Sequence, residues 1–293
     1  MPENEEQSNQ LTTHVETNLG RICIRRSGQG IPMIFWPSLM MDGTMWDAQA
    51  RHFKDRYTVV CIDSPGHGRS QPLTSTLTME DCARCLKTIM DALNFEQAIL
   101  VGNSWGGMLG GVFAAIYPEK TIAIVLMNCT ASSAPLRQKI EYTLMTSIAG
   151  IFNRLPNYFV RRGVKSFAGK TTENHRPEVV SAIQAGIAAV NTKSVRWAIK
   201  SVVPLRKDQH TLLASIACPS LIVAGEEDRT FPVTETEKMA TAIPNSQFVV
   251  LPEVGHLAAL EQPELTNKLI DSFVSDAVIS SPGSGPRGSP CKK

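Results

Sequence analysis

Long apolar runs are missing from this 293-residue chain. The longest candidate, 108–117, stops at Pro118-Glu119-Lys120, short of the roughly 18 to 20 residues that a membrane span requires. The first ten residues are acidic and polar, without the basic start and apolar stretch of a secretory signal, so a cytoplasmic location and no membrane partner are expected. An excess of one charge is missing as well: 29 Lys and Arg against 27 Asp and Glu leave a net +2. No block of Lys and Arg is interleaved with aromatics, which argues against nucleic acid as a partner. There is no dense cysteine framework either. Seven scattered cysteines, an odd number, suit reduced thiols better than disulfides. Cys82 and Cys85 are spaced Cys-x-x-Cys, but inside a helical pattern with no second Cys or His pair of matching spacing, so they read as small helix residues. No metal and no cofactor is expected, and the default partner is a small molecule.

What is present is strand–helix alternation. At 43% hydrophobic residues the chain is long enough for one large α/β domain with an insertion. Residues 13–16 and 21–26 read as a hairpin turned by Asn18-Leu19-Gly20. The continuously apolar runs 33–36 and 58–62 have the look of strands buried on both faces of a parallel sheet. The series continues with a helix over 79–93, a strand over 98–101, a helix over 105–115 and a strand over 122–127. After Cys129 strands stop and several helical segments follow. Strand, helix, strand, helix then resume over 220–223, 235–242, 247–251 and 258–274. This pattern predicts an α/β fold with a mostly parallel sheet covered by helices on both faces. The expected divisions are a first core part over 11–132, a helical cap insertion over 133–210, a second core part over 211–276, and a Ser, Gly and Pro-rich disordered tail over 277–293.

The strongest chemical signal is Gly102-Asn103-Ser104-Trp105-Gly106, which directly follows an apolar strand and opens a helix. Small residues on both flanks let the backbone turn sharply while the Ser104 hydroxyl is held at a helix N-terminus, where dipole and free N–H groups favour developing negative charge. A serine hydroxyl needs a base. His256 follows the last strand in Pro252-Glu253-Val254-Gly255-His256, on a loop at the same sheet edge, whereas His14, His52, His67, His175 and His210 lie in early elements, a glycine loop or the insertion. A carboxylate must orient the histidine. Gly225-Glu226-Glu227-Asp228 supplies three after the preceding strand, and Asp228 is chosen, with Glu226 and Glu227 read as solvated. The alternative place, at the end of the strand before the insertion, holds the uncharged Asn128.

With Asp63-Ser64-Pro65-Gly66-His67-Gly68-Arg69-Ser70 after the fourth strand, these motifs resemble the α/β-hydrolase superfamily over about 13–274. The stretches 39–49 and 225–263 look most like enol-lactonases and small esterases. The resemblance implies a hydrolase with the catalytic triad Ser104, Asp228 and His256, acting on a small ester or lactone. Runner-up activities with the same residues are carbon–carbon hydrolysis and cofactor-free perhydrolysis, and a catalytically weak ligand-binding receptor is a third reading. Family members usually carry His-Gly after the third strand, where this chain has Pro37-Ser38. That alignment makes the N–H groups of Leu39 and Trp105 the oxyanion pair, and Ser38 takes unusual backbone angles less readily than glycine. Ser38 and Trp197 are the candidate substrate contacts. Trp36 and Trp46 read as core, and Trp105 as part core and part pocket wall.

Charge is unevenly spread. Residues 133–210 hold thirteen Lys and Arg against four Asp and Glu, so the insertion is basic while the remainder is acidic. Two readings stay open: an anionic substrate drawn to the cavity mouth, or helix faces that are simply solvated.

Overall fold

The structure, a computed structural model, describes residues 11–149 and 155–279. Eight strands form one sheet in the order β1-β2-β4-β3-β5-β6-β7-β8. The hairpin β1 (Leu11–Thr17) and β2 (Gly20–Ser27) is antiparallel, and β2 runs antiparallel to β4 (Tyr57–Ile62). β3 (Ile31–Trp36), β4, β5 (Ala98–Asn103), β6 (Thr121–Met127), β7 (Ser220–Gly225) and β8 (Gln247–Leu251) are parallel. Every residue of β4, β5 and β7 is buried, which is why these strands are apolar throughout instead of alternating.

The period-2 pleat divides the strand side chains between two cores. Ile34, Trp36, Leu100 and Leu126 enter one, with α2 (Met79–Ala92), α3 (Trp105–Ile116) and α10 (Val233–Ala242). Met33, Phe35, Val101 and Val125 enter the other, with α1 (Asp47–Phe53), α11 (Ala258–Glu261) and α12 (Pro263–Ile279). α2 begins at a capping box in which Thr78 and Asp81 satisfy each other's backbone donors. Cys82 and Cys85 lie fully buried on its inner face, and burial pushes the Cys85 thiol up to about 12.

Between β6 and β7 the chain forms α4 (Leu136–Ala149), α5 (Asn157–Phe167), α6 (Lys170–His175), α7 (Pro177–Ala189), α8 (Thr192–Val202) and α9 (His210–Leu213). Among the described residues no strand interrupts them. The last helix extends to Ile279, past the expected start of the tail, and the rest of that expectation lies outside the described residues.

Candidate active site

The loops leaving the C-terminal ends of β3, β5, β6, β7 and β8 meet at one edge of the sheet. The turn from β5 into α3 is as tight as its glycines suggest. A Cβ on Gly102 would lie 2.2 Å from the Gly106 carbonyl, and one on Gly106 would lie 2.0 Å from the Trp36 oxygen. Ser104 sits between them at φ 55°, ψ −110°, a conformation that costs an L-residue energy and that the packed elbow must enforce. Its N–H donates to Met127 O at 2.8 Å, which ties the turn to β6.

His256 and Asp228 come together. His256 Nδ1 and Asp228 Oδ2 are 2.8 Å apart, with both side chains at 1% exposure or less. The other Asp228 oxygen accepts the N–H groups of Thr230 and Phe231 at 2.7 and 3.0 Å. An acceptor-only carboxylate places the histidine proton on Nδ1 and leaves a lone pair on Nε2, and Nε2 is buried with no hydrogen-bond partner among the described residues. The ring is held between Phe167, stacked at 5.2 Å, and Phe231 at 5.6 Å. Ser104 and His256 line the same cavity, of about 360 Å³, whose other walls are mostly apolar and include Leu39, Met108, Phe159 and Ile199.

Two donors stand unspent beside Ser104. Among the described residues the N–H groups of Leu39 and Trp105 donate to no protein group, although their neighbours do: Ser38 N–H to Met45 Sδ at 3.4 Å, Met40 N–H to His67 Nε2 at 3.1 Å, and Met41 N–H to Ser38 O at 3.1 Å. Free backbone donors at a helix start and a loop apex suit a developing oxyanion. The strain expected at Ser38 is displaced: the left-handed residue is Met40, at φ 67°. Ser38 is fully buried and does not reach the cavity; its hydroxyl accepts Asn103 Nδ2 at 2.8 Å and so ties the β3 loop to the serine turn. Trp197 is not on the cavity wall either. Its ring lies under the Arg196 guanidinium at 4.5 Å. The Trp105 ring is wholly buried against Trp36 and His67 instead of walling the pocket.

Several supporting residues escaped the sequence reading. Asn103 and Asn128 each donate to the His256 carbonyl at 2.8 Å, and Asn128 Oδ1 accepts Gly225 N–H at 2.7 Å. The residue set aside as an acid therefore pins both the histidine loop and the start of the Asp228 turn. Glu261, 3% exposed, accepts the N–H groups of Gly169, Gly255 and Leu257 and the Thr172 hydroxyl. Glu227, expected to be solvated, accepts the Thr171 N–H and hydroxyl, both at 2.7 Å. Asp63 accepts Gly43 N–H and Arg69 N–H, so the Asp63–Ser70 motif braces the β3 loop. His67 completes that brace. Its Nδ1 donates to Pro65 O while Nε2 accepts from Met40, roles that only the neutral ring can fill, and burial holds its pKa below the ordinary histidine value. The Asp63–Ser70 motif signalled Asp63 and His67, and Asn103 lies inside the Gly102–Gly106 motif; nothing in the sequence pattern marked Asn128 as a brace, and Glu261 carries no signal.

A family model described as the alpha/beta hydrolase fold matches residues 31–263. The chain is 28% identical over 242 residues to 3-oxoadipate enol-lactonase 1 of Acinetobacter baylyi, covering 83% of this chain and 88% of that protein. It is 26% identical over 222 residues to a 2-hydroxy-6-oxononadienedioate/2-hydroxy-6-oxononatrienedioate hydrolase of Paraburkholderia phymatum, covering 74% and 76%. Among solved structures, a thermophilic esterase from Thermogutta terrifontis superposes with a TM-score of 0.85 at 28% identity, over 91% of this chain and 99% of that one.

Proposed function

Because the chain belongs to the α/β-hydrolase fold family and is a hydrolase, we propose that it cleaves a small carboxylic ester or lactone through an acyl-enzyme on Ser104. Ser104 Oγ attacks the carbonyl carbon and its proton passes to His256 Nε2. The N–H groups of Leu39 and Trp105 hold the oxyanion, Asp228 stabilises the imidazolium, and His256 then protonates the departing alkoxide. Water, deprotonated by the same nitrogen, attacks the acyl carbon and releases the acid and free Ser104. The observation that carries this reading is the division of labour on one imidazole: Nδ1 is committed to a buried carboxylate, and the unpartnered Nε2 belongs to a side chain that shares a cavity with Ser104. The enol-lactonase and esterase relatives agree with it. Carbon–carbon hydrolysis by the same residues is the second reading, favoured by the Paraburkholderia relative.

Residues 133–210 are read as a cap over the cavity, since its lining includes side chains from α4, α5 and α8. Three arginines stand in that lining: Arg162, which pairs with Glu141 of the same wall, and Arg196 and Arg206, neither of which forms an ion pair among the described residues. Arg206 is 9% exposed, with its charge held over the Phe231 ring at 5.4 Å, and loss of solvent pushes its pKa down to about 10. These cations support an anionic substrate with an apolar body.

A fluorophosphonate probe tests the chemistry: folded protein should be labelled at Ser104, and absence of labelling would refute it. Hydrolysis of esters, simple lactones, carboxylated lactones and vinylogous diketones then separates the two reactions. For the charge reading, second-order rate constants of a neutral ester and its carboxylated analogue are compared at low and high salt. Preference for the anion should shrink as salt rises, and a ratio independent of salt removes steering.

A further inference from the structure

α4 is apolar on two opposite faces. Tyr142, Met145 and Thr146 point toward the cavity, and Leu136, Ile140 and Leu144, spaced four residues apart and hence on one stripe, are 73, 62 and 62% exposed. A surface helix normally carries one apolar stripe, facing the core, with polar residues on the opposite side, so a second apolar stripe turned to solvent departs from that pattern. The patch is local: of the eight large exposed hydrophobics among the described residues, these three share one stripe of α4 and Tyr158, 67% exposed, lies at the start of α5, the helix whose Arg162 pairs with Glu141 of α4, while Leu11, Ile116, Leu205 and Val250 lie elsewhere. Single exposed apolar residues need no explanation, but a clustered stripe marks an interaction surface.

The charges around the stripe indicate what covers it. Arg137 and Lys139 flank it on α4, and α5 presents Arg161, Arg162 and Lys165 on its exposed face. The one carboxylate on α4 or α5, Glu141, is already paired with Arg162 at 2.5 Å. A second copy of the chain docked by a two-fold axis would set these cations against their own images with no acidic partner. An anionic amphiphilic surface would accept the apolar stripe and compensate the cations at once, the combination that holds peripheral helices on bilayers. The patch also borders the cavity. Leu144, Glu141 and Arg162 are exposed and line it, so they stand at its rim, and Phe159, packed 5.4 Å from Tyr158, lines it from within.

We propose that the α4–α5 face docks on an anionic lipid surface and turns the cavity mouth toward it, so that esters dissolved in the lipid reach Ser104 without crossing water. Docking is independent of the chemistry, whereas delivery rests on the reading of Ser104 given above. This departs from the expectation of no membrane partner, which rested on the lack of long apolar runs; among the described residues no helix is long and apolar enough to cross a membrane, and surface docking needs none.

The test uses the full chain carrying Ser104→Ala, so that its outcome does not depend on turnover. Co-sedimentation is measured with vesicles of phosphatidylcholine alone and of phosphatidylcholine with phosphatidylglycerol. The expected result is binding to the anionic vesicles, weakened by salt, and reduced about ten-fold or more by Leu136→Gln with Ile140→Gln, two residues outside the cavity lining. In the active background the same double variant should keep its melting temperature and its rate on a water-soluble ester. Arg137→Gln with Arg161→Gln should reduce the preference for the anionic vesicles. No sedimentation with either vesicle, or binding unchanged in the double apolar variant, overturns the proposal. So does a dimer seen by sedimentation velocity that the double variant dissociates without any vesicle binding, since the face would then belong to a second copy.

Discussion

Asp228→Asn tests the site most sharply, because the surrounding hydrogen bonds dictate which way the amide must turn. One Asp228 oxygen takes two backbone donors, from Thr230 and Phe231, and the other faces His256 Nδ1. An NH2 group in the first position would confront two buried N–H groups and leave all of them unsatisfied, at about 1 to 3 kcal/mol each. The asparagine oxygen therefore keeps the backbone donors and its NH2 falls against His256, where it donates to Nδ1. The imidazole proton must then move to Nε2, and the nitrogen that should deprotonate Ser104 loses its lone pair. In the serine proteases that define this behaviour the wrong tautomer lowers kcat by about ten-thousand-fold, close to 5.5 kcal/mol of barrier, and a loss of that order is expected here with little change in KM or melting temperature. The assay is kcat on a p-nitrophenyl ester, with the rate of fluorophosphonate labelling falling by a similar factor and imidazole nitrogen shifts reporting the proton on Nε2. Retention of activity within about ten-fold of the parent would refute the argument. So would inactivation by the control Glu227→Gln, whose carboxylate is engaged by Thr171 instead.

Ser104→Ala should lower turnover by about a million-fold while the chain stays folded, measured by burst and steady-state kinetics; activity near the parent's would mean another nucleophile. His67→Phe keeps a ring against Trp105 but removes the acceptor of Met40 N–H, one residue from the Leu39 donor, so kcat should fall about ten- to a hundred-fold with KM nearly constant. His67→Gln, which can still accept, should recover part of the loss; an effect on KM alone would contradict this. The lowered His67 pKa also has a sign for stability: the unfolded chain binds the proton more readily, so this contribution is complete above the ordinary histidine value of 6.5 and is lost as pH falls below it. Denaturant midpoints should therefore drop more steeply with acid in the parent than in His67→Phe. Gly102→Ala forces a Cβ to 2.2 Å from the Gly106 carbonyl and should cost about 3 kcal/mol of stability, read from urea melts; a neutral outcome would mean the elbow is looser than described.

The amino-acid sequence alone was enough for whatever depends on a few neighbouring residues. Apolar runs bounded by turns marked β3, β4, β5 and β7, and the spacing of Gly102 and Gly106 marked the sharp turn at Ser104, because backbone sterics and side-chain period act over one turn or one strand. Chain order singled out Asp228 and His256 as candidates, since each follows a parallel strand and leaves the same sheet edge, and the fold brings the two side chains into contact. Only the packed molecule decided how those residues are held. The partners of the His256 carbonyl, Asn103 and Asn128, lie 153 and 128 residues away in sequence, and Glu261 reaches back 92 residues to Gly169. Ser38 turned inward and Met40 took the left-handed conformation because the β3 loop is pulled by Met45, Asn103 and His67 at once. The stripe on α4 was likewise invisible: Leu136, Ile140 and Leu144 have the spacing of a core face, and it is the packing of the opposite face toward the cavity that leaves them in solvent. Local pattern states which residues could be buried, and tertiary packing selects which of them are, since only one face of a surface helix can meet the core.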